Sequence, residues 1–63
     1  MQLSAEQRER MIRELVDVVL VGFRSNLEQV EIFNHELRTD TTDEELIKLH
    51  AVYFPARYLL GTP

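Results

Sequence analysis

Leu15-Val16-Asp17-Val18-Val19-Leu20-Val21-Gly22-Phe23-Arg24-Ser25-Asn26-Leu27-Glu28 is the stretch on which the fold turns. Up to Phe23 only Asp17 and Gly22 interrupt the apolar side chains. An apolar stripe runs through the segment and beyond it on both sides: Ile12, Val16, Val19, Phe23, Leu27, Val30, Phe33 or Asn34, and Leu37. Twenty-five residues in seven steps give about 3.6 residues per step, the period of an α-helix. A second stripe, Met11, Leu15, Val18 and Gly22, widens the apolar face in the first half. Against one helix stand Gly22, which costs about 1 kcal/mol relative to alanine, and the β-branched Val16, Val18, Val19 and Val21. Ser25-Asn26-Leu27-Glu28 also has the form of a second capping box. The segment is therefore either one long helix or two broken near 24–26, and the unbroken stripe favours one helix over about 5–38. A strand over Leu15–Phe23 lacks a second strand to pair with.

Outward from this stretch the boundaries are well marked. Ser4-Ala5-Glu6-Gln7 is a capping box, so the helix begins near residue 5. Arg38-Thr39-Asp40-Thr41-Thr42 is a polar connector. Thr41 and Thr42 each precede a glutamate by three residues, and Asp43, Glu44 and Glu45 suit the positive end of a helix dipole. A second helix is expected from about 43 to 60, with Leu46, Leu49, Ala51, Val52, Tyr53, Leu59 and Leu60 at its apolar positions. Proline in a helix interior costs about 3 kcal/mol, so Pro55 imposes a kink or a fresh turn, and Gly61 suits a C-terminal cap.

The expected architecture is all-α: one small domain over 1–63, a helical hairpin with a long arm and a shorter, proline-kinked one. A segment apolar almost all round is buried almost all round, and two arms of a 63-residue chain offer too little cover. Dimerisation into a four-helix bundle solves that problem. The surfaces expected to pair lie in 11–23 and 46–60, with Val16, Val19, Leu20 and Phe23 as self-association residues.

Composition narrows the function classes. The 7.4 kDa chain is 44% apolar and 29% charged, which is ordinary for a globular domain. The absence of cysteine excludes disulfides and thiolate metal sites. A net charge of −4 argues against wrapping nucleic acid by bulk charge. The longest uncharged runs, Val18–Phe23 and Leu49–Ala56 (His50 neutral), fall far short of the roughly 20 apolar residues of a membrane span. The N-terminus alternates charges where a signal peptide needs an apolar run, so a cytoplasmic, soluble protein is expected.

Motifs for chemistry are sparse. Ser4 and Ser25 read as helix caps, and no glycine-rich elbow accompanies them. His35 and His50, the two histidines, read as solvated or partly buried side chains. Glu31 and His35 share a helical face at four residues apart, but no third ligand follows at helical spacing. Ile32 and Ile47 stand where a Glu-x-x-His iron pair needs glutamate. Gly22 and Gly61 are isolated, so no phosphate-cradling loop is present. No cofactor or metal is expected.

Two surfaces remain as candidates for partners. Arg8, Arg10, Arg13 and Arg24 gather positive charge in the first half, but Glu6, Glu9, Glu14 and Asp17 interleave with them, and Glu6–Arg10 and Glu9–Arg13 fit i,i+4 ion pairs. Forced into a helix-turn-helix, 28–53 would aim Asp43, Glu44 and Glu45 at phosphates. The segment Leu49–Leu60 holds three of the five aromatics and no acid. Tyr53, Phe54, Arg57 and Tyr58 there are of the types that dominate interface hot spots. Leu49, Tyr53 and Phe54 are expected to pack inward and Arg57 and Tyr58 to lie near the rim, either closing the core or presenting a protein-binding surface. The expectation is a small, non-enzymatic regulatory or adaptor protein acting by protein–protein interaction as a homo-oligomer. The alternatives are a dimeric nucleic-acid-binding regulator and an oligomer holding a small ligand at its seam with Tyr53, Arg57 or Tyr58.

Overall fold

The computed structural model describes residues 2–59, with only the backbone of Leu59. Four helices follow in order: α1 (Ala5–Gly22), α2 (Leu27–Thr39), α3 (Asp43–Tyr53) and α4 (Pro55–Leu59). The described residues form no strand. Gly61 and Leu60, expected as cap and apolar position, lie outside the described residues.

Local chemistry sets most of the ends. Ser4 accepts from the Gln7 amide at 3.1 Å while the Gln7 side chain accepts from the Ser4 amide at 3.0 Å, closing the expected box. Thr42 and Glu45 do the same for α3. Pro55 opens a fresh turn: Phe54 leaves the helical region at φ −130°, ψ 59°, and Pro55 takes the first position of α4, where a missing N–H costs nothing.

The long arm is not continuous, which corrects the single helix expected over 5–38. Phe23 still donates to the Val19 carbonyl, but its φ of −122° and ψ of 38° end α1. Asn26 restarts the chain and caps α2, its side-chain oxygen accepting from the Gln29 amide at 3.4 Å, so the cap falls one residue after Ser25. The apolar period survived the break for a geometric reason. The four residues 23–26 are close in number to the 3.6 of one helical turn, so the stripe nearly keeps its phase while the chain reverses.

Long-range bonds fix the directions. Arg38, near the end of α2, reaches Glu9 near the start of α1, so these helices are antiparallel. The Leu3 amide donates to Asp43 at 2.9 Å, and Glu14 meets His50, so α3 runs parallel to α1 with their starts level. Met11, Ile12, Leu15, Leu37 and Leu46 form the core, with Leu3, Val16, Phe33, Ile47, Leu49 and Phe54 packed around it. Val19 and Val30 are buried nearer the turn.

The unequal lengths matter most for function. α1 has 18 residues and α3 has 11, about 27 and 16 Å at 1.5 Å per residue. Starting level, α3 stops short, and the last turns of α1 and the start of α2 extend past it.

Candidate functional site

Two features stand out: a buried polar cluster where α4 folds back, and the end of the bundle that α3 fails to reach.

The cluster is centred on His50, 1% exposed on the inner face of α3. Its Nδ1 lies 2.9 Å from the Tyr58 hydroxyl on α4, and its Nε2 lies 3.1 Å from Glu14 Oε1 on α1. In the neutral tautomer that satisfies both neighbours, Nε2–H donates to the carboxylate and Nδ1 accepts from the phenol. Arg57 of α4 pairs with the other oxygen of Glu14 and lies over the Phe54 ring, 4.9 Å from its centroid. Phe54 in turn lies against the His50 ring, with centroids 4.7 Å apart. Burial pushes the Glu14 carboxyl up, but hydrogen bonds from Arg57 and His50 outweigh it and hold the group below the usual carboxylate range. Burial raises the Tyr58 phenol above its ordinary value. No buried side-chain polar atom among the described residues lacks a partner. Both imidazole nitrogens are committed and the ring has almost no exposed surface, so the arrangement clasps α4 to α1 and α3.

Of the four residues singled out for partner binding, Phe54, Arg57 and Tyr58 thus belong to this clasp, and Tyr58 turns inward where a rim position was expected. Tyr53 is open to solvent, at 39% exposure, where an inward position was expected, and Arg57 is exposed as a rim position implied. Sequence reasoning missed Glu14 and the full burial of His50. His50 follows Leu46 by four residues, a signal that it shares the apolar face of α3, but Glu14 is 36 residues away and no spacing links them.

The arginines are largely spent within the fold. Arg8 donates to Asp43 at 2.6 Å and to the carbonyls of Leu37 and Thr41, stitching α1 to the end of α2 and the start of α3. The Leu3 amide and then Arg8 hold the Asp43 carboxyl below its ordinary value. Glu9 accepts from Arg38 and Arg13, in that order of effect, and its pKa falls to about 2. Glu9–Arg13 therefore closes as expected, while Glu6–Arg10 forms no ion pair among the described residues. The shallow depression along α1 has Glu6, Glu9, Arg10, Arg13, Glu14 and Asp17 on a single helix, with no second wall to converge on a ligand. His35 and Glu31 are exposed, and no group of three or more metal-ligating side chains occurs among the described residues.

The far end of the bundle is different in kind. Val18 lies seven residues after Met11 and Gly22 seven after Leu15, Leu27 precedes Val30 by three, and Tyr53 follows Leu46 by seven. All occupy core-facing register, yet Val18 is 40% and Leu27 57% exposed because α3 ends at Tyr53 and none of the described helices lies above them. Val21 (73%) and Phe23 (54%) border the same end. Of the residues assigned to self-association, Val19 is buried and Val16 half-buried within the chain, while Leu20 and Phe23 are exposed. No helix among the described residues is long and apolar enough to cross a membrane. Comparison with protein-family models, curated proteins and solved structures finds no match for this chain.

Proposed function

We propose that this chain is a small non-enzymatic regulatory or adaptor protein that acts by protein–protein contact, as a homo-oligomer, through the open end of its bundle. The observation that carries the reading is the set of core-register residues left uncovered there: Val18, Leu27 and Tyr53. Apolar side chains in that register gain about 25 cal/mol for every Å² removed from water, and the chain has no further described element to cover them.

In an assembly of two copies the open ends of the two α1–α2 hairpins bring four helix ends over one apolar centre, the cover that a single copy lacks. The clasp at His50 supports a non-enzymatic role, since its polar groups are consumed by one another.

Absolute mass by light scattering on a sizing column tests the proposal, with absorbance at 260 and 280 nm recorded together. A protein dimer or larger, free of nucleic acid, is the expected result. A monomer at about 100 μM, a concentration that would populate any dimer of micromolar affinity, would remove the homo-oligomer reading.

A further inference from the structure

We infer that two copies of this chain meet end to end about a two-fold axis at the open end, packing Val18, Val21, Phe23 and Leu27 against the same residues of the other copy and pairing Arg24 of each with Glu28 of the other. The inference rests on the self-association proposed above and adds the interface, the symmetry and the polar contact that sets the register.

Charge selects a second copy as the occupant. The ion pairs Arg8–Asp43, Arg13–Glu9, Arg38–Glu9 and Arg57–Glu14 tie up four of the seven cations, and Arg10 and Lys48, which form none among the described residues, lie away from the open end. Arg24 forms no ion pair among the described residues, although Glu28 is only four residues away across the turn. Glu28 is equally unpaired and sits in the first turn of α2, immediately after Leu27. A cation and an anion thus flank one apolar patch, each without a mate on its own chain. A two-fold axis through the patch puts residue i of one copy opposite residue j of the other and j opposite i, so both pairs form at once. A partner with uniformly basic or uniformly acidic rims would satisfy one of the two and oppose the other.

Size sets what the contact must include. A stable interface removes about 800 Å² from each partner, and the exposed apolar side chains at the tip of the hairpin fall short of that, so the Arg24 and Glu28 rims and the Leu20 and Tyr53 side chains share in the contact. Because the contact is isologous it closes on itself, and the assembly stops at two.

Sedimentation equilibrium on the full chain and five variants decides the matter. Val21→Glu and Leu27→Glu place a charge at exposed positions, so each monomer keeps its helical circular dichroism. Should either lose it, Val21→Ser, which adds no charge, takes its place. The expected result is a wild-type dimer whose dissociation constant rises at least about tenfold in these variants, the range set by truncating interface anchors. Arg24→Glu and Glu28→Arg should each weaken the dimer severalfold, since each creates like-charge pairs at the seam. The double variant Arg24→Glu/Glu28→Arg should recover to within about twofold of wild type. A dimer indifferent to Val21→Glu and Leu27→Glu would overturn the inference and leave self-association standing on another surface. Assemblies that grow beyond two overturn the two-fold arrangement, and failure of the double variant to recover overturns the Arg24–Glu28 pairing. A wild-type chain that stays monomeric would overturn both this inference and the reading it rests on.

Discussion

One carboxylate holds two helices: Glu14 on α1 receives the His50 ring of α3 at 3.1 Å through one oxygen and the Arg57 guanidinium of α4 through the other. The short α4 is too brief to be stable alone, so its position depends on this group and on the Tyr58–His50 bond at 2.9 Å.

Removing the ring should therefore cost much of the fold. His50→Ala empties a fully buried site and leaves Glu14 and Tyr58 each short of a partner. The expected loss is about 2–4 kcal/mol, against roughly 3–9 kcal/mol of total stability for a chain of this length. Urea denaturation followed by circular dichroism measures it. A loss below about 0.5 kcal/mol, the scale of surface substitutions, would contradict the burial of His50.

Arg8 tests the junction between the three main helices. Its guanidinium reaches one carboxylate and two carbonyls at once, a fork that an ammonium group cannot reproduce. Arg8→Lys is expected to destabilise by about 1–2 kcal/mol despite keeping the charge, and Arg8→Ala by more. Equal stability of Arg8→Lys and wild type in thermal unfolding would show that the two carbonyl bonds contribute nothing.

Gly22 offers a change in the opposite direction. A β-carbon built there meets no atom within 4 Å, and the residue ends α1 without a left-handed backbone. Gly22→Ala should stabilise the protein by up to about 1 kcal/mol through helix propensity and a less flexible unfolded chain, seen as a higher melting temperature. A lower one would mean that the turn at 23–26 needs glycine before it.

Acid should unfold the protein. Glu9, Glu14 and Asp43 all have folded pKa values below their ordinary 4.5, 4.5 and 3.8. The native state then binds fewer protons than the unfolded state, so their contribution is complete above those ordinary values and is lost as pH falls. The melting temperature should be level from pH 7 to about 5 and then decline, the Glu9 contribution persisting until about pH 2. Glu14→Gln should flatten part of that decline. A melting temperature that rises on acidification would reverse the assigned shifts.

The short-range features were legible from the chain alone. Ser4 with Gln7, Thr42 with Glu45, and Pro55 at the head of a fresh turn each depend on residues within four positions of one another, and each formed where the residues indicated. The break at 23–26 was not decided by the same reasoning. Gly22 and the Ser25–Glu28 box signalled a stop and a start, but the apolar stripe ran on with nearly unbroken phase across a turn of about one helical period. Tyr53 is uncovered because α3 ends beside the middle of α1, and Tyr58 turns inward because Pro55 redirects α4, past which periodicity cannot be carried.

What the sequence determined by itself is the all-helical character and the capped starts of α1 and α3, because backbone amides near a helix end are satisfied by side chains close in the chain. Tertiary structure alone decided that α3 runs beside α1, that Glu14, His50 and Tyr58 converge, that Arg8 is spent on Asp43, and that Val18, Leu27 and Tyr53 are left uncovered. These depend on which helix faces reach one another and on an 18-residue helix lying beside one of 11. Such contacts join residues dozens of positions apart, and their energy resides in desolvation and packing that no local spacing encodes.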